Sequence, residues 1–123
     1  MRKVFIVDDE PVMVNLLTTL IEMEGFDVQS DVIGEDIHDK IVQVEPDCII
    51  LDIHLRIGDG REIDGFEILD KIRLDEKTNK SKVIMSSGLD YRDKSEARGA
   101  DGFLLKPFPP DELINMMKEL LEW

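Results

Sequence analysis

Carboxylates, hydroxyls and an ammonium stand at the ends of short apolar runs that lie far apart in this chain. Asp8, Asp9 and Glu10 follow Val4-Phe5-Ile6-Val7, and Asp52 follows Cys48-Ile49-Ile50-Leu51. Ser86 and Ser87 follow Val83-Ile84-Met85, and Lys106 with Pro107 follows Phe103-Leu104-Leu105. If the runs are neighbouring strands, these groups meet at one edge. Two carboxylates about 4 Å apart repel by roughly 4 kcal/mol at an effective dielectric of about 20. Such a cluster needs a cation, or one member must keep a proton. Hard oxygen ligands favour Mg²⁺, which retains several waters and accepts one or two carboxylates. A half-open site of this kind suits phosphoryl transfer. Asp52 can act as the nucleophile and form an acyl phosphate. Lys106 can hold one phosphoryl oxygen as a compact point charge, and Ser87 can donate a hydrogen bond to another.

The elements that must position these groups alternate between two periods. The four runs read as buried strands, being continuous and rich in β-branched residues. Asp27 to Asp31 is a weaker strand candidate, expected near an edge because Val28 is its lone apolar residue. Between the strands lie helix-period segments. Pro11 suits a first turn, and Val12, Leu16, Leu17, Leu20 and Ile21 continue it until Gly25. Ile37, Ile41 and Val44 mark a second helix, Phe66, Leu69 and Ile72 a third. Residues 88–101 hold few apolar side chains, so any helix there is short or loose. Pro109 and Pro110 open a last helix with a stripe of Leu113, Ile114, Met117, Leu120 and Leu121, expected to run to Trp123 with no second domain after it. Residues 53–64 read as a flexible loop. Five βα units predict a parallel sheet with helices on both faces and right-handed crossovers. Ligands then bind beyond the carboxyl ends of the strands, where the polar groups are.

The bulk numbers agree with one domain of 123 residues. The formal net charge is -13, from 28 acidic and 15 basic residues. A surface that acidic repels nucleic-acid phosphates and anionic membranes, so direct contact with either is not expected. No apolar run reaches the roughly 18 residues that a spanning helix needs. The lone Cys48 reads as a buried small hydrophobe, and a cytoplasmic location is expected. His38 reads as a solvated helix residue. One histidine, His54 included, does not make a transition-metal site. The stretch 58–65 lacks the oxygens of a calcium loop, with Arg61 and Ile63 in the way.

VFIVDDE at 4–10, IILD at 49–52, VIMSSG at 83–88 and GADGFLLKPF at 99–108 together resemble the receiver (response regulator) family of two-component signalling, which includes the chemotaxis regulator. The resemblance covers essentially the whole chain. It implies a flavodoxin-like doubly wound five-stranded parallel sheet with strand order 2-1-3-4-5. It implies that Asp9 ligates Mg²⁺ directly, Asp8 through water, Asp52 as both ligand and phosphoacceptor, and His54 through its backbone carbonyl. Ser87 would be the switch hydroxyl and Phe103 the aromatic that turns inward with it. Lys106 would bind the phosphoryl group, with a cis peptide to Pro107. The implied partners are a histidine kinase or histidine phosphotransfer protein and a downstream protein target, the chain itself being a monomer or weak homodimer. Its only catalysis would be its own phosphorylation and dephosphorylation.

Three departures from the family pattern stand out. Asp52 and Gly65 are 13 positions apart, about five more than usual, with the insertion through Arg56 to Asp64 and no proline soon after Asp52. Ser87 to Gly99 is about three residues short, and the switch hydroxyl is Ser rather than Thr. Two rival readings follow: an interaction module of the same fold that needs no phosphate, and a small phosphatase with Asp8 as nucleophile and Glu10 as acid. The second usually requires a cap domain, for which there is no room.

Overall fold

The computed structural model describes residues 1–31, 36–56, 58 and 60–122. Five parallel strands form the main sheet: β1 (Lys3–Val7), β2 (Asp27–Asp31), β3 (Cys48–Asp52), β6 (Lys82–Ser87) and β7 (Gly102–Leu105). Their order is β2-β1-β3-β6-β7, which is the expected 2-1-3-4-5 arrangement of the five. Around them lie α1 (Pro11–Met23), α2 (Ile37–Val44), α3 (Gly65–Leu74), α4 (Arg92–Ala97) and α5 (Pro110–Leu121).

The strand period sorts the core into two layers. Val4, Ile6, Cys48, Ile50, Ile84 and Leu104 face one way and meet Leu17 and Ile21 of α1 and Leu113 and Met117 of α5. Phe5, Val7, Ile49, Leu51, Val83 and Met85 face the other way, against Ile41 of α2 and Phe66, Leu69 and Ile72 of α3. β3 is buried along its whole length, as a central strand covered on both faces must be. β2, with Val28 alone to pack inward, takes the edge. Burial pushes the Cys48 thiol up to about 12, aided by Asp101 and Asp47, so it stays protonated as a core group.

Several expectations change. Residues 53–64 are not a loop throughout: β4 (His54–Arg56) and β5 (Glu62–Asp64) pair antiparallel as a hairpin. The reason is a period of two hidden among charges. Leu55 is fully buried and pairs with Ile63, which packs on the core, while His54, Arg56, Glu62 and Asp64 stay exposed. Ser86 and Ser87 belong to the end of β6 rather than to the turn after it. His38 is only about a quarter exposed, with Nε2 3.7 Å from Asp75, so it is not simply solvated. α4 is short, as its composition predicted, at six residues. The last helix ends at Leu121, where Glu122 adopts a left-handed cap conformation, short of the expected Trp123, which lies outside the described residues. None of the described helices is long and apolar enough to cross a membrane.

Candidate functional site

The carboxyl ends of β1, β3, β6 and β7 bring the groups together. Asp8 follows β1 directly, Asp52 ends β3, Ser87 ends β6 and Lys106 follows β7. Asp8 and Asp52 are both 6% exposed, and Asp9 is half-buried. One carboxylate oxygen from each of Asp8, Asp9 and Asp52 lies within 4.8 Å of the others. Lys106 Nζ donates to Asp8 Oδ2 and to Asp52 Oδ2, each at 3.1 Å. A charged network of this density survives burial only when every charge has a partner.

Backbone donors complete the cluster. The Glu10 N–H donates to Asp8 Oδ1 at 3.0 Å, so both oxygens of Asp8 are engaged. The His54 N–H donates to Asp52 Oδ1 at 3.3 Å, and the Arg56 N–H donates to Asp9 Oδ2 at 2.9 Å. Burial pushes the Asp52 carboxyl above its ordinary range. The Lys106 charge and hydrogen bond pull it back, and the charge of Asp8 adds to the rise. Burial draws the Lys106 ammonium down, but Asp52 and Asp8 outweigh it and hold its pKa above the ordinary lysine value. The donor set fits a hard divalent cation: three carboxylate oxygens converge, and among the described residues one ammonium, that of Lys106, bonds to them.

The remaining residues singled out from the sequence sit close by in the fold. Ser87 is 1% exposed, its Oγ accepts from the Leu89 N–H at 3.1 Å, and its carbonyl accepts from the Lys106 N–H at 2.8 Å. The peptide from Lys106 to Pro107 is cis, as expected. Phe103 stands inward already, 4% exposed and within the α3-side core, with the Arg92 guanidinium 5.7 Å from its ring centroid. The expected starting point, an aromatic ring still to turn inward, therefore differs from this arrangement. Leu105 and Leu89 are instead the large apolar groups exposed near β7.

Sequence reasoning passed over three features. A Cβ on Gly65 would lie 2.3 Å from the Asp52 carbonyl oxygen, so α3 starts against the backbone of β3 and only glycine fits. Asp64 caps that helix by accepting from the Phe66 N–H at 2.9 Å. Beside the site a cavity of about 350 Å³ opens between the hairpin and α4, lined among others by His54, Ile63, Asp64, Phe66, Tyr91 and Lys94. The His54 and Tyr91 rings stand 5.7 Å apart across it. The unusual distance from Asp52 to Gly65 was the signal that something was built here.

Comparison with known proteins agrees with this geometry. The family described as "Response regulator receiver domain" matches residues 4–118. The chain is 36% identical to the DNA-binding dual master transcriptional regulator RpaA of Synechocystis sp. over 98% of its own length and 49% of that protein. It thus spans about half the length of the curated relatives it matches. Among solved structures, the chemotaxis protein CheY4 of Vibrio cholerae superposes with a TM-score of 0.85 at 25% identity, covering 98% of this chain and 99% of that one. The receiver domain of the sensor histidine kinase PA1611 from Pseudomonas aeruginosa, solved with a magnesium ion in its active-site cleft, superposes with a TM-score of 0.83 at 20% identity, covering 99% and 98%. With the match running nearly end to end, the chain belongs to the response regulator receiver family of two-component signalling.

Proposed function

We propose that the chain is a phosphoacceptor whose Asp52 takes a phosphoryl group from a phosphohistidine on a partner histidine kinase or phosphotransfer protein. The observation that carries this is the Lys106 ammonium held 3.1 Å from both Asp8 and Asp52 at the mouth of three converging carboxylates. Asp52 has one oxygen on Lys106 and one on the His54 amide, which aims the carboxylate rather than leaving it free to rotate. An Asp52 oxygen attacks phosphorus in line. The P–N bond breaks, its electron pair leaves with the imidazole, and an acyl phosphate remains. Lys106 is placed to follow a phosphoryl oxygen as the new charge develops.

Asp8, Asp9 and Asp52, with the His54 carbonyl, are the groups that would hold a Mg²⁺ ion, as the cleft of the Pseudomonas domain holds one. Such an ion supplies charge neutralisation for the phosphoryl oxygens. Asp8, with both its oxygens occupied by Lys106 and the Glu10 amide, suits contact through water. The phosphoryl group adds charge and acceptor oxygens within reach of Ser87 and Lys106, which biases a two-state element at the ends of β6 and β7. Phe103 and the exposed Leu89 and Leu105 border that element, and a downstream protein target reads it. The domain also promotes water attack on its own acyl phosphate, and this cycle is its only chemistry.

Intact-protein mass spectrometry after incubation with a small phosphodonor and Mg²⁺ tests the reading. The parent protein is expected to gain one phosphoryl group, lost without Mg²⁺ and absent in Asp52→Asn. A parent protein that binds metal yet gains nothing would favour the phosphate-independent interaction module.

A further inference from the structure

We infer that the backbone N–H of Arg56 is a positioning group for the acidic cluster, fixing the Asp9 carboxylate for a divalent cation and tying the inserted hairpin to metal occupancy. The inference rests on the metal-assisted reading above. Its basis is the edge that β4 turns toward the cluster. The His54 and Arg56 amides, two residues apart, donate to Asp52 Oδ1 and Asp9 Oδ2 at 3.3 and 2.9 Å. Alternate residues of a strand point their amides to the same edge. The pairing of β4 with β5 matches His54 to Asp64, Leu55 to Ile63 and Arg56 to Glu62. Two of every three amides in so short a ladder can therefore face away from the partner strand, and here they face carboxylates.

The donor is braced. Leu55, between the two amides, is fully buried, Ile63 packs on the core, and the Gly65 N–H closes the hairpin's base on the Ile53 carbonyl at 2.7 Å. The Arg56 side chain points elsewhere. Its guanidinium meets Glu62 at 3.3 Å with both groups about two-thirds exposed, a pair that contributes little. The amide, not the charge, thus acts on the site. A proline at position 56 would lack this donor. Carboxylates that hold a metal depend on such partners for orientation, and losing one typically weakens binding 10–100-fold. The coupling is reciprocal: a cation bound at Asp9 must also steady the hairpin.

Mn²⁺ titration of the full chain, read from the loss of the free-ion EPR signal, tests this. Arg56→Ala keeps the N–H and is expected to bind within about twofold of the parent. Arg56→Pro removes it and is expected to bind about tenfold more weakly. A proline variant that binds as tightly as the parent, or an alanine variant that weakens as much as the proline one, overturns the inference. Should Arg56→Pro fail to fold, hydrogen exchange of the Arg56 amide in the parent decides. Exchange slowed about tenfold by saturating Mg²⁺ supports the coupling, and exchange unchanged by Mg²⁺ overturns it. A parent that binds no divalent cation brings down the metal-assisted reading, and this inference with it. A parent that binds while Arg56→Pro binds equally brings down this inference alone.

Discussion

Asp52 is disfavoured as an anion by its burial and by Asp8, and favoured by Lys106, and the balance leaves its pKa raised. The folded protein then keeps this proton to higher pH than the unfolded chain does. Stability falls as pH rises from the ordinary carboxylate value through the raised one, and the loss is complete above it. Lys106 works in a different window. Its raised pKa contributes stability that is fully present below the ordinary lysine value and lost as pH rises through the raised one. Asn at 52 has no charge to bury. Asp52→Asn, which has no proton to lose, is expected to gain stability relative to the parent as pH rises through the raised value, with that gain absent below the ordinary carboxylate range. Urea unfolding across pH measures it. A difference that does not change with pH would assign the effect to packing instead.

At the scale of elements, α3 is pressed against β3, and Gly65 is where they touch. Its position 2.3 Å short of the Asp52 carbonyl for any Cβ leaves no room for even alanine without backbone movement. Gly65→Ala is expected to lower stability by about 1–3 kcal/mol and to reduce phosphorylation of Asp52, measured by chemical denaturation and by the mass shift. A variant as stable and as readily phosphorylated as the parent would deny that contact its role. The strands with unbroken apolar runs, such as Val4 to Val7, were legible in the sequence because a doubly covered parallel strand leaves no other pattern. Their order followed from the resemblance and their polar ends from the residues after each apolar run, and Asp8, Asp52, Ser87 and Lys106 sit at one edge. The hairpin was not legible. Ile53 and Leu55 alternate with His54 and Arg56 over too few residues to mark a strand, and Ile63 stands alone between Glu62 and Asp64. The inward Phe103 was likewise invisible, since a rotamer depends on packing that no motif states.

For the whole molecule, the sheet does the assembly. Four strands that start in different parts of the chain deliver their last residues to one edge, as open parallel sheets do at their carboxyl ends. The chain's net charge of -13 sets this edge in an acidic field that attracts cations and basic partner surfaces. The short α4 and the inserted hairpin flank it with a cavity not anticipated from the sequence. The proposed phosphoryl transfer places the group on Asp52 and on no other carboxylate of the cluster. Borohydride trapping tests it most directly: an acyl phosphate is reduced in place, turning the phosphorylated aspartate into homoserine, which peptide mass spectrometry then locates. Homoserine is expected at position 52 alone, and only when Mg²⁺ and phosphodonor are both present. Homoserine at position 8 or 9, with residue 52 unchanged, would contradict it.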